Sequence, residues 1–461
     1  MKKTTAAFAA IGVFASVSAA AGEGAAGGIS FDVGADLRIR QEIMDNTPGL
    51  PGGGVALPAA RGPYRNHVRI RPRVWGEVRQ DDEWRLYVRF ADEWRWNVRP
   101  RNHSNVFPDE LIVDNLFFEA KGLFDGLVDS FAVGRQDIYN LFGLDNIFVD
   151  GTPGDGSRTL YSDLARIGFD FEDAGRLDLF ALYDSDENPL RWGTRRGRHR
   201  SLAGLGGGAE AEMDDWGWGG VYSGRAGEAL PWKVFAMQKR TMAYRRGGAK
   251  HPATRRELLG ANLRPELGGG FVALLEAMGQ VGRNGEGDWL SGWSACAGIE
   301  WKEPEDRSIR PFAGLRLHFM SGDKNAADED GGRRAWDPMW ARGVNYSEMF
   351  LYGTHYGAAW WSNTVIAKAH GGLDFGPSHK LYFSTAPVFA QADDGLGGGD
   401  GHFKGLLSQA RYDFPILAAD KDEGRSLRIT GHVFAELFNP GGYFENDRPG
   451  WFLRWQIAFA F

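Results

Sequence analysis

Arginine recurs at alternate positions in three places near the start of this 461-residue sequence: Arg38 and Arg40; Arg69, Arg71 and Arg73; Arg85, Arg89 and Arg95. Glu77 and Glu93 fall in the same alternation. A guanidinium is a planar fork that stays charged at any relevant pH and grips a carboxylate through two hydrogen bonds. A wall of such groups is chemistry for recognising anions, and a ring of cationic side chains selects anions in a pore. Arg135, Arg166, Arg310, Arg316, Arg428 and Arg454 stand in the same relation to their apolar neighbours, as do the carboxylates Asp170, Glu276 and Glu436. The carboxylates are expected to pair with the arginines and hold them apart. Passage also requires release, so weak binding spread over many groups suits conduction. The plainer reading is that these pairs only neutralise a crowded interior and stiffen it.

The spacing says which element carries them. Side chains along a β-strand point alternately to opposite faces. Val68, Ile70, Val74, Gly76 and Val78 fall on one face of a first segment, and Trp84, Leu86, Val88, Phe90, Trp94 and Trp96 on one face of a second; the arginines take the other. A helical period would mix the arginines into the apolar set, so residues 66–96 read as a hairpin. Two environments accept it: a soluble sheet with a solvated cationic face, or a membrane barrel with lipid outside and a charged lumen.

Eighteen alternating segments follow one another, near 31–42, 66–79, 83–96, 111–121, 129–139, 160–171, 176–184, 211–222, 231–241, 255–264, 270–281, 290–301, 309–320, 361–373, 379–390, 402–413, 426–438 and 450–461. Every second connection is short, with an exception around 415–425, and the intervening ones are mostly long and polar or glycine-rich. Short periplasmic turns alternating with long extracellular loops are what an outer-membrane barrel needs. The chain ends on Phe461, after a strand with Trp451, Leu453, Trp455, Ile457 and Phe459 on one face. Exposed in a soluble protein, that strand would be an aggregation hazard; in a closed barrel it pairs with the first strand and faces lipid.

Residues 1–21 read as a secretory signal, with Lys2 and Lys3 ahead of a short apolar stretch and small residues at the cleavage site. Residues 22–461 read as one bacterial outer-membrane barrel: all-β, up-and-down, antiparallel, about eighteen strands, with about 24 residues for each strand and its connection. Barrels of that size enclose an aqueous channel. No apolar run of about 18 residues follows the signal, which excludes a transmembrane helix but not a barrel. The net charge of −7 speaks against nucleic-acid binding. The single Cys296 rules out an internal disulfide and reads as a small strand side chain.

Other chemistry is thin. Zinc spacing, phosphate loop and nucleophile elbow are all missing, no cofactor is implied, and His318, His370 and His432 stand in no catalytic arrangement. Asp323, Asp328, Glu329 and Asp330 crowd one loop, but their spacing lacks the ligand pattern of a known calcium loop, and a solvated acidic loop is the favoured reading. Basic runs at 195–200 and 245–248 could bridge lipopolysaccharide phosphates, capture an anionic substrate, or simply be solvated. Trp84, Trp94, Trp96, Trp451 and Trp455 suit the aromatic girdles at the membrane interfaces. Tyr87, Phe117 and Phe434 fall on the lumen side, where packing is the simpler reading and sugar stacking the sharper one.

Several local motifs occur in order. They are FAVGRQDI with Gly134-Arg135-Gln136, LLEAMGQVG with Glu276 and Gln280, RPFAGLRLHFMSGDK running into Ser321-Gly322-Asp323, the Trp336-Asp337-Pro338 loop, and LFNPGGYF at 437–444. This set resembles the alginate-export family of outer-membrane porins. The resemblance implies an eighteen-stranded monomer that passively conducts an anionic polysaccharide, alginate or another polyuronate, or its oligomers. It also implies an arginine-rich constriction interrupted by a few carboxylates. Direction would come from gradients and periplasmic export partners, and Phe461 resembles the terminal signal read by the barrel-assembly machinery. The sequence departs from the family in its glycine- and tryptophan-rich loops, to which Trp192, Trp216, Trp218, Trp360 and Trp361 are assigned. Two other readings stay open: a nutrient porin taking up acidic oligosaccharides or small anions, and a non-channel barrel, either an enzyme or a surface-binding protein.

Overall fold

The computed structural model describes residues 28–46, 64–99, 110–148, 161–184, 191–193, 214–246, 249–304, 307–324, 334–341, 346–349, 362–376, 378–393, 397–418, 426–445 and 447–461. Eighteen antiparallel strands run in chain order: β1 Ile29–Asp45, β2 Arg65–Gln80, β3 in two pieces (Trp84–Ala91 and Trp94–Arg99), β4 Glu110–Leu123, β5 Val128–Asp137, β6 Tyr161–Asp170, β7 Arg176–Asp184, β8 Asp215–Ala226 and β9 Leu230–Thr241. They continue with β10 Thr254–Leu263, β11 Phe271–Asn284, β12 Trp289–Lys302, β13 Ile309–Met320, β14 Thr364–Phe375, β15 His379–Phe389, β16 Phe403–Leu417, β17 Arg428–Pro440 and β18 Gly450–Ala460. Every strand pairs with its neighbours in sequence, and β1 also pairs with β18, from Asp36↔Ala460 to Asp45↔Trp451. The sheet therefore closes and has no edge, so each strand's backbone polar groups find partners on both sides. All eighteen expected segments are present.

The alternation sorts the faces as the sequence implied. Leu86, Trp96, Leu116 and Phe118 stand exposed on the outside, while Arg38, Arg40, Arg69, Arg71 and Arg89 are buried within. The girdle tryptophans point outward with their indole N–H groups engaged: Trp84 donates to Gln80 at 2.9 Å, Trp94 to Asp92 at 2.7 Å and Trp455 to Gln41 at 2.9 Å. That suits rings with one apolar and one wet end. Trp216 and Trp218 do not belong to a loop. They lie within β8, and Trp218 is 53% exposed on the outer face. Their alternation with Gly217 and Gly219 is a strand period that the glycine content disguises.

Two local features shape the wall. β3 keeps one register through its break, from Arg73↔Ala91 to Ile70↔Trp94. The interruption lies opposite Pro72, which has no N–H to give the ladder. On β5, Gly134 has φ +124°, and a Cβ there would stand 2.2 Å from the Leu116 carbonyl oxygen on β4. Only glycine lets the strands approach at that point.

The core is inside the barrel. After β5 the chain turns inward through Ile138, Leu144, Ile147 and Phe148, and after β13 through Trp336, Met339, Trp340, Tyr346 and Met349. These side chains pack on inward-facing Leu164, Phe180, Val221, Phe235, Met237, Leu258 and Met278. Phe148 and Trp340, one from each loop, stack at 5.3 Å and 3°, and Phe180 of β7 meets both edge-on.

The loops are held by the wall through their backbones. Glu276 on β11 accepts the N–H groups of Asp145 (2.9 Å) and Asn146 (3.1 Å), with Asn262 of β10 donating to it at 2.8 Å. Four residues along, Gln280 exchanges two hydrogen bonds with the Asp337 backbone, at 2.6 and 3.1 Å. Glu436 on β17 accepts the N–H groups of Glu348 (3.0 Å) and Met349 (3.3 Å) and the Ser347 hydroxyl, with Gln409 of β16 donating at 3.0 Å. Burial works against the charge of Asp337, but Arg256 at 3.2 Å and Lys239 outweigh it and hold that carboxyl below its usual range. Loop carbonyls are used too: Lys239 donates to Met339 O at 2.6 Å.

Two outcomes follow. Gly134→Ala should cost about 2 kcal/mol or more, because it adds both a left-handed strain and a backbone clash; the folded fraction read from heat-modifiable gel migration should fall, and an unchanged fraction would contradict the close approach. Glu436→Ala strands buried N–H donors at a cost of about 3 kcal/mol. It should leave the barrel folded but make residues 346–349 accessible to protease and raise conductance noise.

Candidate functional site

The arginine wall lies on β1–β3, at the heights where the register sets like charges side by side. Arg38 faces Arg71, Arg40 faces Arg69, and Arg69 faces Arg95 across the next seam. Like charges directly opposite are destabilising, so something must stand between them. Two buried carboxylates do. Glu42 forms ion pairs with Arg40 (2.8 Å) and Arg69 (3.4 Å) and a hydrogen bond with the His67 ring nitrogen (2.8 Å). Glu93 takes the Arg69 fork through both oxygens (2.9 and 3.2 Å) and lies 4.0 Å from Arg38. Arg38, Arg40 and Arg69 thus share two carboxylates, and Arg71 lies 3.8 Å from a third, Asp36. Removing either carboxylate would leave buried charge uncompensated, which costs far more than an exposed pair.

The next strands continue the pattern with more carboxylate. Arg89 binds Asp114 and Asp137, both at 2.9 Å. Arg135 binds Asp163 at 2.8 Å, donates to the Val113 carbonyl at 3.1 Å and lies 4.8 Å over the Tyr161 ring. Arg73 binds Asp36 at 2.8 Å. Nearer the tight turns the cations become accessible. Arg85, 41% exposed, reaches Glu77 and Glu119, and Arg166, 33% exposed, reaches Glu119 at 3.6 Å. A row of rings runs beside them: Trp75 to Tyr87 at 6.0 Å, then Tyr87 to Phe117 at 5.4 Å, with Arg85 over Phe117. Across the lumen face of β18, Arg454 donates to His432 at 3.0 Å, pairs with Glu348 of the inward loop at 3.1 Å and covers the Phe434 ring. Phe434 is therefore packed, not offered. Arg316 pairs with Glu300 and, at 3.7 Å, with Asp145. Arg310 and Arg428 fall on lumen-facing positions at the turn ends of β13 and β17.

Three of the expected carboxylates have other employment. Glu276 and Glu436 face the lumen but hold loop backbone in place of arginine, because each lies opposite an inward loop that presents unpaired N–H groups. Asp170 sits exposed at the end of β6 and accepts the Glu172 N–H at 2.9 Å, capping the turn. The partners that the arginines do use include several that were not anticipated: Asp36, Glu42, Asp114, Asp137, Asp163, Asp145 and Glu348. Asp36 and Glu42 share the parity of Arg38 and Arg40, so the same alternation would have found them. Asp114 is hidden by a bulge, since Arg89 pairs with Asn115 and Phe90 with Val113. That extra residue shifts the parity of β4.

Asp328, Glu329 and Asp330, the runs at 195–200 and 247–248, Trp360, Trp361 and the segment 1–21 lie outside the described residues. Asp323 accepts the Arg334 N–H at 2.8 Å. Among the described residues no group of three or more His, Cys, Asp or Glu side chains could hold a metal ion. Cys296 is buried, 3.8 Å from the His318 ring nitrogen.

No protein-family model matches the sequence, and no curated protein does. Solved structures do match in shape. OccK2 (OpdF) of Pseudomonas aeruginosa aligns over 93% of this chain and 97% of its own at 9% identity, with a TM-score of 0.52. OccK11 (OpdR) of the same organism aligns over 93% and 96% at 12% identity, and OccD3 (OpdP) over 93% and 91% at 8%, each with a TM-score of 0.50. At such identities the likeness speaks of fold alone. That fold, a closed eighteen-stranded antiparallel barrel, is the one outer-membrane porins use, and it places this chain in the bacterial outer membrane.

Proposed function

We propose that this protein is an anion-selective outer-membrane channel that conducts carboxylate-bearing saccharides. The observation that carries the reading is the composition of the wall on β1–β3, where Arg38, Arg40, Arg69, Arg71, Arg73 and Arg95 share the lumen face with the carboxylates Glu42, Glu93 and Asp36. Below it, Arg85 and Arg166 present accessible guanidinium groups toward the turn end. A permeating anion would exchange among such forks, gripped at each and released to the next. Polyuronates carry about one carboxylate per sugar, a repeat that suits a succession of arginines. Alginate or a related polyuronate, the substrate class that the sequence motifs imply, is the first choice of cargo.

Uptake of acidic oligosaccharides is the second reading. It is favoured by the inward loops, whose packed apolar core fills lumen space against β6–β11 and reaches side chains of β1 and β13–β18. Such filling suits a single extended chain or short oligomers. A passive channel has no direction of its own, so the two readings differ in partners and gradients more than in the barrel.

The test is the reversal potential of single channels in a salt gradient, with oligouronate added as a blocker. The wild type should be anion-selective and blocked. Arg85→Gln with Arg166→Gln, which leaves the buried ladder intact, should move the reversal potential toward zero and weaken block by about tenfold, the loss expected for one charge-assisted contact. Combined replacement of Arg69, Arg71, Arg89 and Arg95 by alanine should abolish selectivity. Cation selectivity in the wild type would overturn the proposal, and a folded barrel that never conducts would favour the enzyme or surface-binding reading.

A further inference from the structure

Most cations on the lumen face are committed to carboxylates. Lys368 and Lys380 are different: among the described residues neither forms an ion pair. The Lys368 ammonium donates to Gln409 at 3.2 Å and stands 5.5 Å over the Tyr382 ring. The Lys380 ammonium stands 4.8 Å over the Phe312 ring. The two carboxylates paired with it across the seams are engaged elsewhere, Asp374 with Lys302 at 3.2 Å and Asp413 with Arg411 at 2.6 Å.

The rings beneath these ammonium groups form a floor. Phe312, His370 and Tyr382 face inward from β13, β14 and β15, and their neighbours Leu315, Leu373 and Phe383 face out. Phe312 and Tyr382 lie 6.4 Å apart and 21° from parallel; His370 and Tyr382 lie 6.0 Å apart and 28° from parallel. Glycine makes this possible. Phe312 is paired with Gly372, and a Cβ on Gly372 would fall 2.6 Å from the Phe312 ring. His370 is paired with Gly314, and a Cβ there would fall 2.5 Å from the imidazole. Each ring therefore lies down on a neighbouring strand's bare backbone and turns a face to the lumen. Core packing, the duller explanation, is a poor fit: none of these three residues belongs to the buried apolar cluster that packs the inward loops.

We infer that Phe312 and Tyr382, with Lys368 and Lys380 above them, form a binding site for a six-membered ring that carries a carboxylate. The ring face of the ligand would lie on the aromatic floor, and its carboxylate would take the two ammonium groups from their present cation–π contacts. That exchange is favourable, because a charge-assisted hydrogen bond is stronger than an accessible cation–π contact. Two ligands share this chemistry, a uronate sugar and an aromatic carboxylate. The site deepens the channel reading by naming the kind of anion that would pause in the turn-side half of the lumen, and its test does not depend on conduction.

Calorimetry on the detergent-solubilised barrel, titrated separately with trigalacturonate and with benzoate, tests it. At least one should bind the wild type. Lys368→Gln with Lys380→Gln, and separately Phe312→Leu with Tyr382→Leu, should each weaken that binding by at least about tenfold. Lys368→Arg with Lys380→Arg should retain it, which separates lost charge from misfolding; heat-modifiable migration checks each barrel. Binding of trigalacturonate alone would assign the site to uronates, and of benzoate alone to aromatic acids. If neither ligand binds, or binding is the same in both loss variants, the site is refuted. That result leaves channel selectivity standing, because the reversal potential reads the latter by itself.

Discussion

Closure of β1 on β18 is the constraint from which the other features descend. A sheet in lipid cannot leave a row of N–H and C=O groups unpaired, so the first and last strands must meet in register. Once they do, residues along each strand are assigned to lipid or to lumen by parity, reset only where a bulge intervenes. Apolar side chains take the outside, and the inside is free to hold charge that no soluble core would tolerate. The same register places Arg38 beside Arg71 and Arg40 beside Arg69, so closure and the charged wall are one decision.

Crowding like charges sets its own demands. The wall stays together because Glu42 and Glu93 each touch several guanidinium groups and stay out of solvent. Arg38, Arg40 and Arg69 share these two carboxylates and Arg71 and Arg73 share a third, Asp36, so the array is held together with cations in excess. The β6–β11 flank follows a different logic. There the wall is largely apolar, two loops fold against it, and Glu276 satisfies backbone N–H groups of one of them, while Glu436 on β17 does the same for the other. The apolar core reaches on to side chains of β1 and β13–β18, so the salt lattice and the dry core meet inside one barrel.

Parity made the first flank legible from sequence. The eighteen strands, the outward tryptophans and the inward arginines all follow from a period of two, which survives because lipid enforces it along each strand. The second flank was not legible in the same way. Leu144, Phe148, Trp336 and Trp340 occur in stretches with no period, and nothing local says that such a loop will fold inward. Glu276 and Gln280 were visible as two polar residues four apart on one face, but the groups they bind come from more than fifty residues away. Asp114 escaped because one bulge residue reverses the parity of everything before it.

That β11 carries both Glu276 and Gln280 has a consequence for how the bore could evolve. Their clients are different loops, and the loops touch each other through Phe148 and Trp340. Deleting either loop would widen the lumen only by wetting the apolar surface of the other. The two loops are therefore coupled, and a wider bore without exposed apolar surface requires losing both together or rebuilding the wall beneath them.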